Sequence, residues 1–184
     1  MKKHVPFIVL VSVLALISLI YPVFFTTVKM EPPSMEPAID AGDYLLVRRG
    51  AYGLRLPFVG EVVSCGRPAR GDIVLIEKKR DNGQGTGADI FTVLRVVGLC
   101  GEVVSITDKR VWIDGEPLSE GYVTFSDDRV YPDGLSARDN MAAVVVPDDA
   151  FFVMGDRRDI TTDSRFFGTV TRDEIIGKVM LVWW

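Results

Sequence analysis

Residues 5–28 (VPFIVLVSVLALISLIYPVFFTTV) carry no charged side chain. That run of 24 residues exceeds the ~20 that a helix needs to cross a bilayer core of roughly 30 Å. It is longer than the ~7–15-residue apolar centre of a cleavable export signal. It also ends in Phe24-Phe25-Thr26-Thr27-Val28, with no small-x-small cleavage pattern. It reads as a retained transmembrane anchor, with a cleaved signal and a buried core helix as the competing readings. Lys2 and Lys3 precede it with His4 beside them, and positive residues stay on the cytoplasmic side. The expected organisation is a cytoplasmic N-terminus at 1–4, an anchor at 5–28 and an exported domain at 29–184. The protein is then a single-pass inner-membrane protein whose domain lies on the outer face, with the lipid bilayer as a partner.

The charge falls on one side of that run. All 25 acidic residues follow it, as do 19 of the 21 basic ones, so the exported part has a formal charge of −6. An acidic domain excludes nucleic acid as a partner. Two cysteines, Cys65 and Cys100, leave a disulfide or two partly buried thiols open.

Beyond the anchor, short apolar or alternating runs recur at Tyr44–Val47, Ile73–Glu77, Ile90–Val97, Val103–Thr107, Val111–Ile113, Ala143–Val146, Phe151–Met154 and Ile175–Trp183. They are rich in Val, Ile, Phe and Trp and are separated by Gly, Pro and Asp, which predicts a mainly β domain. Val103–Thr107 and Val111–Ile113 read as a hairpin followed by an Asp114-Gly115 turn. The glycine-rich stretch 78–88 reads as a loop between strands, and 126–142 as irregular. About 155 residues bury one core, so a single exported domain is expected.

Next to the anchor stands Glu31-Pro32-Pro33-Ser34-Met35-Glu36-Pro37. Prolines fix φ and block regular pairing, so Ser34 sits on a stiff, non-helical segment. Such a segment is either a rigid stalk or a device that holds a nucleophilic hydroxyl in place.

Five blocks in order extend this segment: Ser34-Met35-x-Pro37 with Gly42-Asp43-Tyr44-Leu45-Leu46-Val47; Tyr52-Gly53-Leu54-Arg55-Leu56-Pro57; Arg70-Gly71-Asp72-Ile73-Val74; Arg95-Val96-Val97-Gly98-Leu99-x-Gly101; and Gly155-Asp156-x-Arg158-Asp159 with Asp163-Ser164-Arg165-x-x-Gly168. In order and spacing they resemble the bacterial type I signal peptidases, and the resemblance covers almost the whole chain. It implies a signal-peptidase-like β-barrel or antiparallel sheet domain behind one transmembrane helix. It also implies a membrane-bound serine endopeptidase that removes signal peptides from exported precursors. Precursor proteins and the secretion translocon would be partners, with no metal and no cofactor. By resemblance Ser34 is the nucleophile, and Met35, Pro37, Arg95, Asp156, Arg158, Thr161, Asp163 and Arg165 shape the site or bind substrate.

The same comparison exposes departures. In the family a neutral lysine, kept unprotonated by desolvation, takes the serine proton. That lysine should precede the Arg-Val-Val-Gly run, and Leu94 stands there. Leucine accepts no proton, and Arg95 stays protonated. Endoplasmic-reticulum relatives use histidine, but His4 lies across the anchor. Lys78, Lys79, Lys109 and Lys178 read as solvated surface, and an aspartate base needs burial to raise its pKa. Pro32 occupies the position of a serine that assists the oxyanion in many members, and such a donor contributes ~10²–10³ in rate. Arg157 replaces a usual asparagine, Thr161 a serine and Cys100 a proline. The alternating charges Asp156, Arg158, Asp163 and Arg165 read chiefly as loop ties. Two functions follow: a peptidase using Ser34 with an unconventional base, or an inactive homologue that binds precursors as a chaperone or adaptor by strand addition.

Overall fold

The uncharged N-terminal run divides into two elements. The computed structural model describes residues 5–31, 33–56, 60–63, 66–78 and 90–184. In it, helix α1 (Val5–Phe24) stops four residues before the end of the run, and Phe25–Lys29 forms strand β1. The physical reason is the sequence Phe25-Thr26-Thr27-Val28: β-branched and aromatic side chains suit a strand, and β2 (Tyr44–Arg48) offers an edge. Phe25 pairs with Arg48 and Lys29 with Tyr44, antiparallel throughout. The segment after Phe24 is therefore part of the β domain, not of the expected anchor.

α1 has 20 residues and no charged side chain. Counted over the described side chains alone, no helix is long and apolar enough to cross a membrane; those at positions 5, 6, 8, 19 and 20 lie outside that count. Every described side chain of α1 is exposed.

The remaining elements are β3 (Leu54–Leu56), β4 (Gly60–Val63), β5 (Ile73–Lys78), β6 (Ile90–Gly98), β7 (Val103–Thr107), β8 (Arg110–Ile113), β9 (Glu116–Pro117), β10 (Met141–Val145), β11 (Ala150–Met154), the short helix α2 (Ser164–Phe167), β12 (Val170–Thr171) and β13 (Ile175–Trp183). A seven-stranded sheet runs β1-β2-β13-β5-β6-β11-β12, a four-stranded sheet runs β10-β7-β8-β9, and β3 pairs with β4. All strand pairs are antiparallel. The fold is mainly β behind one N-terminal helix, as expected, and each of the eight apolar runs lies in or over a strand. The turn after β8 places Asp114 and Gly115 at φ 51° and 84°, the left-handed pair that such a two-residue turn requires.

Strand alternation sends the large sheet's side chains into three cores. Val74, Ile76, Leu94, Val96, Phe151, Val153 and Val170 pack together on one face. On the other, Leu45, Val47, Leu75 and Val93 meet Met30, Met35 and Ile39. Val97, Phe152 and Met154 meet Val104, Ile106, Val111 and Ile113 of the small sheet. Met35 thus seals the Ser34 segment onto the sheet. Gly177 lets β13 cross beside β2: a Cβ there would lie 2.4 Å from the Arg48 carbonyl oxygen.

Candidate active site

Ser34 lies in a 3-10 turn over Pro33–Met35 that packs against β6. Its main chain is clamped by the loop after β11. The Ser34 carbonyl accepts from the Arg157 N–H at 3.0 Å and from the Thr161 hydroxyl at 3.3 Å. The same hydroxyl proton is shared with the Arg157 carbonyl, the nearer acceptor at 2.6 Å. Gly155 is required here: a Cβ on it would lie 2.3 Å from Thr161 Oγ1 and 2.7 Å from the Ser34 carbonyl oxygen. Glu36 extends the clamp, its carboxylate 2.5 Å from Arg157 Nη1 and its carbonyl 3.0 Å from Thr124 Oγ1.

The Ser34 hydroxyl itself is buried and makes no hydrogen bond to any described residue. Leu94, at the position expected to carry the base, is fully buried among apolar side chains of β5, β6 and β11. Three of the four described lysines are held by oxygen partners. Lys78 donates to the Thr169 carbonyl at 2.8 Å, and Lys109 to the Asp127 carbonyl at 2.5 Å. Lys178 pairs with Asp72 at 2.5 Å, and Lys29 lies over the Tyr44 ring. Lys78, Lys109 and Lys178 are therefore bound to partners, not merely solvated. Pro32, Lys79, His4 and Cys65 lie outside the described residues. Cys100 is a free, half-buried thiol.

The two aspartates are equally committed. Asp156 is fully buried and holds Arg95 with both oxygens, at 2.8 Å to Nε and 2.5 Å to Nη2. Arg95 also donates to the Gly71 carbonyl at 3.0 Å and lies 4.0 Å from the Tyr122 ring centroid. Burial works against the Arg95 charge, but Asp156 outweighs it and holds the guanidinium more firmly protonated than usual. Asp163 grips Arg165 in the same two-pronged way, both contacts at 2.8 Å, and accepts from the Gly155 N–H at 3.1 Å. Arg158 donates to the Gly155 carbonyl at 3.0 Å and pairs with the Glu120 carboxylate.

These four charges tie the loop through buried networks rather than surface pairs: Asp156 and Asp163 are fully buried and Arg158 and Arg165 nearly so. Such fork-to-fork pairs fix geometry, and here they hold the loop that holds Ser34. Met35 is buried, whereas Pro37 is exposed. The structure thus brings Ser34, Met35, Arg95, Asp156, Arg158, Thr161, Asp163 and Arg165 onto one scaffold. It adds Glu36, Glu120, Tyr122 and Thr124, which sequence reasoning did not single out, and gives Gly155 of the last block a steric role. Thr124 bonds through its main chain to Asp156 and Arg158, a role that no side-chain pattern signals.

The family model for "Signal peptidase, peptidase S26" matches residues 1–184. The chain belongs to the peptidase S26 signal peptidase family. It is 33% identical to a signal peptidase I of Pseudomonas fluorescens, matching 82% of this chain and 61% of that protein. It is 31% identical to a probable signal peptidase I-1 of Synechocystis sp., matching 97% of this chain and 80% of that one. The chain spans about three fifths of the length of the Pseudomonas relative. A signal peptidase I structure from Enterococcus faecalis superposes with a TM-score of 0.49 at 28% identity, covering 64% of this chain and all of that one.

Proposed function

We propose that this protein is a membrane-anchored serine endopeptidase that removes signal peptides from exported precursors, with Ser34 as its nucleophile. The observation that carries the reading is the Ser34 cradle, because the clamp holds the serine main chain where a hydrolase must position its nucleophile. The family membership and the names of the relatives agree with it. The anchor rests on α1: an uncharged helix with every described side chain exposed has no protein core to enter, and a bilayer supplies the apolar surroundings. Lys2 and Lys3 orient it with its N-terminus inside. β1, about 17 Å of extended chain, then leads from the helix towards Ser34. Tyr44, Leu181 and Trp184 are exposed at the far end of β2 and β13, where Trp183 stacks on Tyr44, an aromatic composition suited to a membrane boundary. The translocon belongs to the same reading as a source of substrate.

One specific observation favours a second reading, a homologue that binds precursors without cutting them. Ser34 Oγ has no described proton acceptor and the base position is the buried Leu94. In the first reading the acceptor must come from outside the described residues or from the bound substrate.

The deciding experiment incubates the detergent-purified chain with a precursor bearing a small-x-small site, beside Ser34→Ala and Leu94→Lys. Cleavage by the parent that vanishes in Ser34→Ala supports the peptidase. No parental cleavage, with cleavage gained in Leu94→Lys, overturns it in favour of the binding homologue.

A further inference from the structure

Edge strands expose unpaired N–H and C=O groups, and proteins usually blunt them with charge or proline. Most edges here follow that rule. β9 ends the small sheet with Glu116-Pro117, β1 carries Lys29, and β12 is only two residues long. β10, at the opposite edge of the small sheet, is interrupted only by a register shift between Met141 and Val144, beyond which Val144 and Val145 pair regularly with β7. Its five residues Met141-Ala142-Ala143-Val144-Val145 contain neither charge nor proline. Ala142 to Val145 are exposed, Val145 to 62%. Among the described strands only β7 pairs with it.

Both ends of this edge are acidic. At the Met141 end, a recess of about 590 Å³ is lined by Ser105, Thr107, Asp108, Asp133, Asn140 and Met141, among others. Asp108 and Asp133 are exposed and take part in no ion pair among the described residues. Nearby cations are committed elsewhere: Lys109 to the Asp127 carbonyl, Arg129 to Asp127, and Arg138 to Asp127 and Asp139. At the other end, Pro147 is followed by exposed Asp148 and Asp149.

We propose that the outer edge of β10 receives an extended peptide segment of another protein, apolar or small in its middle and carrying lysine or arginine near its ends. Main-chain pairing along β10 would supply the affinity, and the acidic ends the choice of partner. The recess is as large as a small-molecule pocket, so it has ample room for a basic side chain beside Asp108 and Asp133. The same charges disfavour a second copy of this chain. Antiparallel self-pairing of β10 would set Asp148 and Asp149 of each copy against Asp108 and Asp133 of the other. This surface is built on the small sheet, uses none of the residues that clamp Ser34, and stands apart from the peptidase reading.

The test titrates the full chain in detergent with a fluorescein-labelled heptapeptide that alternates valine and threonine between terminal lysines. A control peptide carries proline at its alternate central positions. Saturable anisotropy binding is expected for the first peptide only, with slowed amide deuterium exchange at 141–145. The double variant D108N/D133N should bind about tenfold more weakly with a shallower salt dependence, and Val145→Lys should weaken binding similarly. All three positions are exposed, and circular dichroism checks that the fold persists. No saturable binding, equal binding of the proline control, or affinity unchanged in these variants would overturn the proposal. So would self-association of the parent that Val145→Lys removes, which would assign the edge to a second copy. No proteolysis is read, so this outcome is independent of the Ser34 experiment.

Discussion

Replacing Ser34 with alanine removes one oxygen from a place where it is buried and has no hydrogen-bond partner among the described residues. A buried hydroxyl without a hydrogen bond costs about 1–3 kcal/mol in lost hydration. Against this stands the lost packing of a single atom, a few contacts of ~0.1–0.2 kcal/mol each. The difference makes Ser34→Ala more stable than the parent by about 1 kcal/mol, or roughly 2–4 °C in melting temperature for a domain of this size. The sign is the informative part, because a buried serine whose hydroxyl is satisfied loses about 1 kcal/mol on the same change. Thermal unfolding followed by circular dichroism in one detergent, repeated with urea, measures it. A melting temperature that falls by 2 °C or more would refute the reasoning and show that the hydroxyl has a partner in the resting protein. A rise would mean that this chain keeps a destabilising group at its site, as expected of a residue whose partner arrives with the substrate.

Gly155→Ala would force a methyl group against Thr161 and the Ser34 carbonyl; a loss of about 2 kcal/mol is expected, and adding Thr161→Ala should recover part of it in a double-mutant cycle by urea unfolding. Asp156→Ala leaves the largely buried Arg95 charge without its partner, so a loss of about 3–5 kcal/mol should appear in the same assay. The Asp72 carboxyl gives a pH dependence. Burial pushes its pKa up, but Lys178, the Ala69 N–H and Tyr52 outweigh this and hold it below the ordinary 3.8. The stability it contributes is present above that ordinary value and is lost as pH falls through the lower folded-state value. Melting temperature measured from pH 5 to pH 2.5 should therefore fall more steeply in the parent than in Asp72→Asn.

The β elements were legible because their signals are local. Val103–Thr107 and Val111–Ile113 alternate, and Asp114-Gly115 supplies the turn. β1 was hidden because Phe25-Thr26-Thr27-Val28 continues an apolar run, and composition alone cannot separate a strand from the end of a helix; the pairing with β2 decides it. The Ser34 blocks were legible as motifs, but their physics was not. Asp156 and Arg95 are 61 positions apart, so nothing in the spacing of the final block shows that its charges are buried in pairs. Thr124 and Glu120 were invisible for the same reason: they sit in a polar stretch, and only the fold carries them to Arg157 and Arg158.

Position 94 draws these strands together. The Ser34 carbonyl is held by the Arg157 N–H and the Thr161 hydroxyl, and neither bond involves the side chain at position 94. Leu94, meanwhile, is fully buried in a hydrophobic cluster. A lysine there would lose packing and carry an amine in dry surroundings, which costs stability. The same desolvation favours its neutral form, and a neutral amine is what a general base requires. Stability and proton-accepting power are thus opposed at this one position. Leu94→Lys should melt below the parent while approaching the chemistry that the cradle is shaped to support. A variant that melts lower yet leaves precursor cleavage unchanged would show that the Ser34 hydroxyl is not within reach of position 94.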